Sequence, residues 1–256
     1  MPRATFRFYQ ELNDFLPPPQ RQVAFEHEWR GTPSIKHLIE SLGVPHTEVD
    51  LILANDRSVD WTYQPQEGDR IAVYPMFEAM DITPLIRLRP QPLREVRFVL
   101  DGHLGRLAAY LRMLGFDTWY QNHVDDAVLA EISKNEQRIL LTRDQGLLKR
   151  SAVTHGHWIH ATAPHEQLRE VIKRFDLQHQ TKPFTRCLSC NGLLQSTTLA
   201  EVKNEVPENA ARFYADFWRC TSCRKVFWQG SHYQRMTRLI EEVQLTAGGA
   251  ESAENE

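Results

Sequence analysis

The chain has 256 residues, of which 25% are charged and 10% aromatic, and its net charge is −3. These values are ordinary for a globular protein, and they exclude a protein covered in basic residues. Residues 81–180 carry 14 Lys and Arg against 12 Asp and Glu, or +2, whereas residues 1–80 carry 7 against 12, or −5, so the middle segment is the part expected to meet a polyanion. No apolar run is long enough to span a bilayer, and the N-terminus lacks a signal-peptide core. The four cysteines are confined to residues 187–223, unlike the disulfide framework of a secreted protein, so we expect a soluble cytoplasmic protein without a membrane partner or an organic small-molecule cofactor.

Residues 1–80 predict a small α+β domain. Alternating apolar and polar residues, or short apolar runs, indicate strands at residues 3–9, 22–29, 49–54 and 70–74. A helix is expected from Ser34 to Leu42, with Thr32 as its cap and Pro33 at its first position, and Gly43 ends it. The predicted order is therefore strand, strand, helix, strand, strand.

The same segment contains the run Leu42-Gly43-Val44-Pro45, the turn Asn55-Asp56 and the stretch Gly68-Asp69-Arg70-Ile71-Ala72-Val73-Tyr74-Pro75. In these features it resembles the ubiquitin-like β-grasp domains of small sulfur-carrier proteins. Such carriers act through a free C-terminal Gly-Gly, whereas here the chain continues with Met76-Phe77-Glu78, and Gly248-Gly249 is followed by seven more residues. We therefore expect a docking or regulatory domain that recruits a protein partner, and not a sulfur carrier.

The middle of the chain has the pattern of an α/β domain. Residues 81–96 contain three prolines, which keep a segment extended, and they predict a linker. From residue 97 to residue 180, strand patterns alternate with helical patterns. The strands are expected at residues 98–100, 118–121, 138–142 and 157–161, and the helices at residues 104–114, 127–134, 145–150 and 164–175. This alternation predicts a parallel sheet flanked by helices, with right-handed crossovers.

Acidic residues follow the buried strands of this predicted sheet. Asp101 comes directly after the first strand, Asp144 comes after the third, and Asp125 and Asp126 precede the helix between them. Each could cap the helix that follows it, but the strand ends of a parallel sheet share one edge, where clustered carboxylates would bind Mg²⁺ or Mn²⁺. Between the two adjacent acids we favour Asp126, because it directly opens the helix, and keep Asp125 as an additional candidate. Asp117, at the far end of the first helix, is expected to be structural.

Three histidines, His155, His157 and His160, lie in or beside a predicted strand. Alternate residues of a strand share a face, an arrangement that permits metal binding. Because nothing nearby in the sequence completes a site, ordinary polar packing is favoured for them.

The strongest local signal is a pair of Cys-x-x-Cys knuckles, Cys187-Leu188-Ser189-Cys190 and Cys220-Thr221-Ser222-Cys223. Two knuckles supply four thiolates for a tetrahedral, closed zinc site, and a redox pair is the alternative. With four protein ligands the zinc site is structural, and metal binding would fold this lobe. The aromatic residues around the second knuckle are Phe213, Tyr214, Phe217, Trp218, Phe227 and Trp228. They either stack on unpaired bases or pack around the zinc.

The C-terminal third is therefore predicted to be a zinc ribbon with a terminal helix, over residues 181–245. Ser231 is placed to cap that helix, which is expected to reach about Val243. Residues 246–256 are small and acidic, and they predict a disordered tail.

The middle domain opens with the run Asp101-Gly102-His103-Leu104-Gly105-Arg106-Leu107-Ala108, continued by Leu111-Arg112-Met113-Leu114-Gly115-Phe116-Asp117. With this run, Leu140-Leu141-Thr142-Arg143-Asp144, the zinc ribbon and Trp228-Gln229-Gly230-Ser231-His232, the chain resembles the Mut7-C RNase family of PIN-like domains. An N-terminal ubiquitin-like module accompanies that family, so the resemblance covers nearly the whole chain.

The resemblance implies a metal-dependent ribonuclease fold, with Asp101, Asp126 and Asp144 at the acidic positions. The predicted activity is hydrolysis of RNA phosphodiester bonds by water at a carboxylate-held Mg²⁺ or Mn²⁺ site. Arg106, one turn into the first helix, and Arg143, beside Asp144, either hold a phosphate or pair with a nearby carboxylate. The alternative function is a non-catalytic RNA-binding protein whose β-grasp domain recruits a partner.

Overall fold

The computed structural model describes residues 1–75, Leu88 and residues 95–248, with side chains as far as residue 242. The chain divides into two compact units. The first unit comprises Met1–Glu95 with Asp126–Trp158, and the second comprises Val96–Asp125 with Ile159–Glu256. The predicted linker, apart from Leu88 and its last two residues, and residues 249–256 of the predicted tail lie outside the described residues.

The described residues form twelve strands and eight helices. The strands are β1 (Arg3–Phe8), β2 (Phe25–Glu28), β3 (Leu51–Ala54), β4 (Arg57–Ser58), β5 (Arg70–Tyr74), β6 (Arg97–Leu100), β7 (Asp117–Tyr120), β8 (Ile139–Thr142), β9 (Gly156–Trp158), β10 (Leu194–Thr197), β11 (Phe217–Cys220) and β12 (Val226–Trp228). The helices are α1 (Ile35–Ser41), α2 (Gly105–Met113), α3 (Asp126–Asn135), α4 (Gln145–Leu148), α5 (Pro164–Arg174), α6 (Leu199–Val202), α7 (Glu208–Phe213) and α8 (Ser231–Gly248). Short 3-10 turns lie at Gln10–Phe15, Pro18–Gln20, His46–Glu48 and Gly102–Leu104.

The N-terminal part of the first unit is a five-stranded sheet in the order β2-β1-β5-β3-β4. Strands β1 and β5 run parallel, and the other neighbours are antiparallel. Phe6 and Phe8 alternate with exposed or half-buried residues along β1, so one face of the sheet is buried, and Ile35 and Ile39 of α1 belong to the same apolar core. The predicted order of strands and helix is confirmed, with the two-residue strand β4 in addition.

The N-cap of helix α1 lies two residues later than predicted. Ser34, not Thr32, is the N-cap residue, and its Oγ accepts a hydrogen bond from the amide of His37 at 3.4 Å. Ser34 has the extended backbone that a cap requires, with φ −72° and ψ 159°, and its hydroxyl reaches the third helical amide. Gly43 has a φ of +108° directly after the helix, so the predicted end is confirmed.

The remainder of the first unit is an α-β-α-β segment from α3 to β9. Strands β8 and β9 are parallel, with Leu140 opposite Gly156 and Thr142 opposite Trp158. All four residues of β8 are buried, as expected for a strand of a parallel sheet that is covered on both faces. The 3-10 turn His46–Glu48 packs on β9, so the N-terminal domain and this segment share one unit.

The second unit contains the opening strand and helix of the middle domain. Strands β6 and β7 are parallel, with Arg97 opposite Asp117 and Leu100 opposite Tyr120. Helix α2 packs on β7 and on α5, and its apolar stripe is fully buried, as the helical period predicts. The parallel strand pairs, the flanking helices and the N-terminal sheet together confirm the predicted α/β class with an added α+β domain.

The C-terminal part of the second unit is a three-stranded antiparallel sheet in the order β10-β11-β12. One face carries Phe217, which packs with Val202 of α6, Val206 and Ala210 of α7 in a small apolar core. Helix α8 continues to Gly248, five residues beyond the predicted end at Val243. The intervening residues include Gln244, Leu245 and Ala247, which are good helix formers, so nothing local ends the helix before glycine. In the described ranges, none of the helices combines the length and apolarity that crossing a bilayer requires.

Candidate functional site

The four cysteines of the C-terminal sheet form a candidate metal centre. Their Sγ atoms all lie within 4.8 Å of one another, with 3.7 Å between Cys187 and Cys223 and 3.4 Å between Cys190 and Cys220. A tetrahedron of zinc–sulfur bonds of about 2.3 Å has sulfur–sulfur edges of about 3.8 Å. No disulfide joins these four residues. The sulfur positions therefore fit a structural metal such as zinc.

Each knuckle is closed by main-chain hydrogen bonds and a left-handed residue. The carbonyl of Cys187 accepts from the amide of Asn191 at 2.9 Å, and that of Cys220 accepts from the amide of Arg224 at 3.2 Å. Asn191 and Arg224 have φ values of +71° and +64°, which turn the chain back directly after each second cysteine. The amides of Ser222 and Cys223 also point at Cys220 Sγ, both at 3.4 Å, and such donors favour a thiolate ligand.

Burial raises the pKa of the Cys187 thiol to about 12. A bound cation reverses this preference, because a coordinating thiol loses its proton. The four sulfurs therefore lie close enough together to accept a metal ion, which would displace their protons.

A buried arginine of α2 holds the first knuckle against the α/β part of the second unit. Arg112 is only 4% exposed, and its Nη1 donates to the carbonyls of Leu188 and Ser189 at 3.1 and 3.0 Å. Its Nε donates to the carbonyl of Thr118 at 2.9 Å. Burial lowers the pKa of this guanidinium, a cost that the three hydrogen bonds offset. The candidate metal centre is thus attached directly to α2 and β7.

Asp117 strengthens the same attachment. Its Oδ1 accepts from Nδ2 of Asn191 at 2.8 Å, and its Oδ2 lies 3.5 Å from Nη2 of Arg186. The other amide atom of Asn191, Oδ1, accepts from the main-chain amide of Thr118 at 3.0 Å. The expectation that Asp117 is structural is confirmed, and its partners belong to the first knuckle.

Asp101 lies at the carboxyl end of β6, where it was predicted. It occupies the N-cap position of the 3-10 turn Gly102–Leu104, yet its side chain makes no capping hydrogen bond. The carboxylate is half-buried, and the hydroxyl of Tyr120 fixes the following turn by donating to the carbonyl of Gly102 at 2.8 Å. The capping role considered for Asp101 is therefore not the one it has in this fold.

The other acidic candidates have local roles that can be described one by one. Asp126 is the first residue of α3 and lies 3.7 Å from Nη2 of Arg150, with both side chains about half exposed at 45% and 46%. Asp144 caps α4, since its Oδ1 accepts from the amide of Gly146 at 2.7 Å. Asp125 is exposed.

These acids do not all fall in one unit. Asp101 and Asp125 belong to the second unit, whereas Asp126 and Asp144 belong to the first. Across the described part of the chain, the four cysteines are the one group of three or more His, Cys, Asp or Glu side chains whose ligand atoms lie close enough to share an ion. The carboxylate metal site, including the choice of Asp126 over Asp125, therefore stays a prediction.

The two predicted phosphate contacts are both exposed arginines. Arg106 lies in the first turn of α2 and makes no ion pair with another described residue. Arg143 follows β8 directly, and its carbonyl accepts from Nε1 of Trp158 at 3.1 Å. The side chain of Arg106 is accessible to a phosphate, and the main chain of Arg143 is fixed by an indole.

The face of the C-terminal sheet opposite its small core lines a cavity of about 420 Å³. Trp218 lies opposite Ser196 on one side and Phe227 on the other, so these three side chains form a row on this face. Phe184 and Tyr233 close the cavity, with ring centroids 4.4 Å apart. Of the aromatic residues considered for base stacking, Trp218 and Phe227 line this cavity, and Trp228 lines it and also packs against the small core. Phe217 and Tyr214 pack in the small core, and Phe213 is 71% exposed.

Comparison with known proteins identifies two regions of the chain. Residues 96–240 match the family described as Mut7-C RNAse domain, and residues 1–81 match the one described as Mut7-C ubiquitin. No curated protein and no solved structure gives a significant match. The first match covers more than half of the chain and suggests a nuclease-type function, and the second suggests protein interaction. The chain belongs to the Mut7-C RNAse domain family, with a Mut7-C ubiquitin domain at its N-terminus.

Proposed function

We propose that this protein is a metal-dependent ribonuclease that hydrolyses phosphodiester bonds of RNA. The observation that carries the proposal is the position of Asp101 in a chain whose residues 96–240 match an RNAse family. Its carboxylate follows a buried strand and is not used to cap the next turn. The carboxyl ends of parallel strands are where such sheets bind ligands, and carboxylate oxygens are ligands that divalent cations prefer.

Asp126 and Asp144 complete the proposed ligand set. The ion pair of Asp126 with Arg150 is long and half exposed, and such pairs contribute little stability, so Asp126 can exchange Arg150 for a cation. The cap of α4 uses Oδ1 of Asp144, and Oδ2 is the atom proposed to face the metal. Carboxylate oxygens are the ligands that Mg²⁺ and Mn²⁺ prefer.

When bound at these carboxylates, Mg²⁺ or Mn²⁺ would lower the pKa of a water and neutralise charge on the phosphate. The side chains of the protein would hold and orient the substrate around it. Arg106, which is exposed and has no described ion pair, and Arg143 are the proposed contacts to phosphate oxygens on either side of the bond that is cut.

The test is cleavage of an unstructured RNA with Mn²⁺, with and without chelator, for the parent protein and for Asp101→Asn. Loss of a metal-bound carboxylate removes several kcal/mol of transition-state stabilisation, so we expect the rate to fall by more than about 100-fold. Asp125→Asn and Asp126→Asn form a matched pair of neighbours, and we expect the large loss with Asp126→Asn alone. Full activity in Asp101→Asn would contradict the proposed mechanism.

The aromatic cavity of the C-terminal sheet supports a second candidate function, binding of RNA without cleavage. Trp218 and Phe227 offer flat faces on which unpaired bases can stack, an interaction of about 1–3 kcal/mol per base. This alternative predicts that RNA binding survives Asp144→Asn and weakens by about 10-fold or more in Trp218→Ala, with no cleavage in any metal. Fluorescence anisotropy of a labelled single-stranded RNA measures the binding by these variants.

A further inference from the structure

A deeply buried carboxylate of the N-terminal domain, that of Glu48, has hydrogen-bond partners that lie outside that domain. Glu48 is 1% exposed and ends the 3-10 turn His46–Glu48. Its Oε1 accepts from the main-chain amide of Trp158 at 2.5 Å, and its Oε2 lies 3.2 Å from Nδ1 of His157, which is itself 3% exposed. A buried carboxylate is tolerated only with such partners. Strand β9 therefore provides hydrogen-bond partners that allow Glu48 to be buried.

Other contacts of the first unit hold the same turn in place. His46 is 7% exposed, and both of its ring nitrogens face acceptors, Oε1 of Glu40 and the carbonyl of Val153, each at 2.7 Å. Lys149 donates from Nζ to the carbonyl of Glu40 at 3.1 Å. Several hydrogen bonds thus join the ubiquitin-like domain to residues 126–158. A buried network of this kind favours one specific arrangement of the two segments.

Trp158 connects this attachment to the turn that follows β8. It lies opposite Thr142 in the parallel pair, and its Nε1 donates to the carbonyl of Arg143 at 3.1 Å. Its indole packs on Phe15 of the N-terminal domain, with ring centroids 5.1 Å apart. One side chain therefore touches both the ubiquitin-like domain and the main chain directly before Asp144.

The turn itself is a short series of hydrogen bonds. Thr142 Oγ1 accepts from the amide of Asp144 at 2.9 Å, and Asp144 Oδ1 accepts from the amide of Gly146 at 2.7 Å. The Arg143 carbonyl belongs to the peptide bond that joins Arg143 to Asp144, so a movement of this carbonyl is passed directly to the main chain of Asp144. Catalytic groups need placement to within a fraction of an ångström.

We infer that Glu48 is a positioning residue for the Thr142–Asp144 turn and acts through Trp158. The ubiquitin-like domain then serves the proposed active site from within the same chain, in addition to any protein it recruits. This inference rests on the proposed function, because positioning of the turn by the ubiquitin-like domain affects the reaction only if Asp144 takes part in it. A contact that merely joined two domains would stabilise them without affecting the turn after β8.

The decisive variant is Trp158→Phe, which keeps a ring against Phe15 and removes the indole N–H. That hydrogen bond is exposed, so its loss costs little stability, whereas misplacement of a reacting group by about 1 Å can lower a rate by about 100-fold. We expect faster hydrogen exchange at the Gly146 amide and a fall in kcat of about 10-fold or more, with KM and the unfolding midpoint nearly unchanged. Tyr63→Phe, which removes one hydrogen bond elsewhere in the N-terminal domain, is the matched control and should leave exchange at Gly146 and kcat as they are.

Glu48→Gln provides the conservative test of the buried group. Its amide keeps an acceptor for the Trp158 amide and a hydrogen-bonding group for His157, so we expect folding and most of the kcat to survive, whereas Glu48→Ala should lose both. Unchanged exchange at Gly146 in Trp158→Phe, or faster exchange with kcat unaltered, would each overturn the inference. If the parent protein cleaves no RNA, the proposed function fails, and exchange at Gly146 still decides whether the ubiquitin-like domain positions the turn.

Discussion

Replacement of Arg112 should release the first Cys-x-x-Cys knuckle from helix α2. The informative change is Arg112→Met, which keeps most of the side-chain length and removes the guanidinium. Three main-chain carbonyls then lose their donor, two of them in the knuckle at Leu188 and Ser189 and one at Thr118. The bond to Thr118 is buried, whereas the other two are partly buried, so water can replace part of what they lose.

An unsatisfied buried acceptor costs about 1–3 kcal/mol, and a partly hydrated one costs less. The three together give an expected loss of about 3 kcal/mol in the free energy of unfolding of the second unit. Lobes with four cysteine ligands fold together with zinc, so we expect the affinity of the candidate site for zinc to fall by as much as about 100-fold. Arg112→Lys keeps the charge but not the planar fork of donors, so its loss should be intermediate.

Denaturation followed by circular dichroism and competition with a chromogenic zinc chelator measure these two effects. Arg106→Met is the matched control, because it makes the same replacement on the same helix at an exposed position, where stability should change by less than about 0.5 kcal/mol. If Arg112→Met unfolds at the parent midpoint and holds zinc as tightly, the attachment through Arg112 is not what fixes the knuckle.

Three further predictions concern removal of the metal, the close approach of Gly115 to Lys182, and the dependence of stability on pH. Removing zinc with a chelator should make residues 181–240 sensitive to protease while the first unit stays resistant, since four-cysteine lobes fold with their metal; an unchanged cleavage pattern would count against a structural metal. Gly115 has a φ of +94°, and a Cβ there would stand 2.2 Å from the carbonyl oxygen of Lys182, whereas Gly68 has a φ of +80° with nothing within 4 Å. Gly115→Ala should therefore cost about 1–3 kcal/mol more than Gly68→Ala in chemical denaturation, and equal losses would contradict the close approach. Burial and a hydrogen bond to Asp69 raise the pKa of Tyr63 to about 12, above its unfolded value of about 10, so the stability it contributes is present below pH 10 and is lost between about pH 10 and pH 12. The unfolding midpoint should fall over that range, and it should fall less steeply in Tyr63→Phe.

Local patterns were enough to predict the elements whose causes are local. Strand β5 has the predicted bounds because its residues alternate between buried and solvent-facing positions. The candidate metal centre was predictable from the cysteine spacing alone. Helix α2 was recognisable from its apolar period. Its Arg112 lies four residues after the buried Ala108, so it shares the buried side of the helix, and that spacing was the available signal for a structural arginine.

What could not be predicted depends on partners far away in the sequence. Strand β9 was expected to extend to Ala161, but it ends at Trp158. The amides of His160 and Ala161 donate to the carboxylate of Glu170 at 2.9 Å each and not to a neighbouring strand. The polar packing expected for His157 is confirmed, yet its partner Glu48 lies 109 residues away. No periodicity or spacing relates such residues, so only the folded chain reveals them.

The first unit is built from two stretches that are synthesised at different times. Residues 1–75 contribute every member but Leu88 of one apolar core, and they can fold while the ribosome is still adding residues, since domains generally fold from the N-terminus as they emerge. Glu48 then remains hydrated until His157 and Trp158 leave the exit tunnel, more than 100 residues later. Burial of that carboxylate is therefore a late event in the biogenesis of the protein. It can occur only after the chain has been synthesised as far as strand β9.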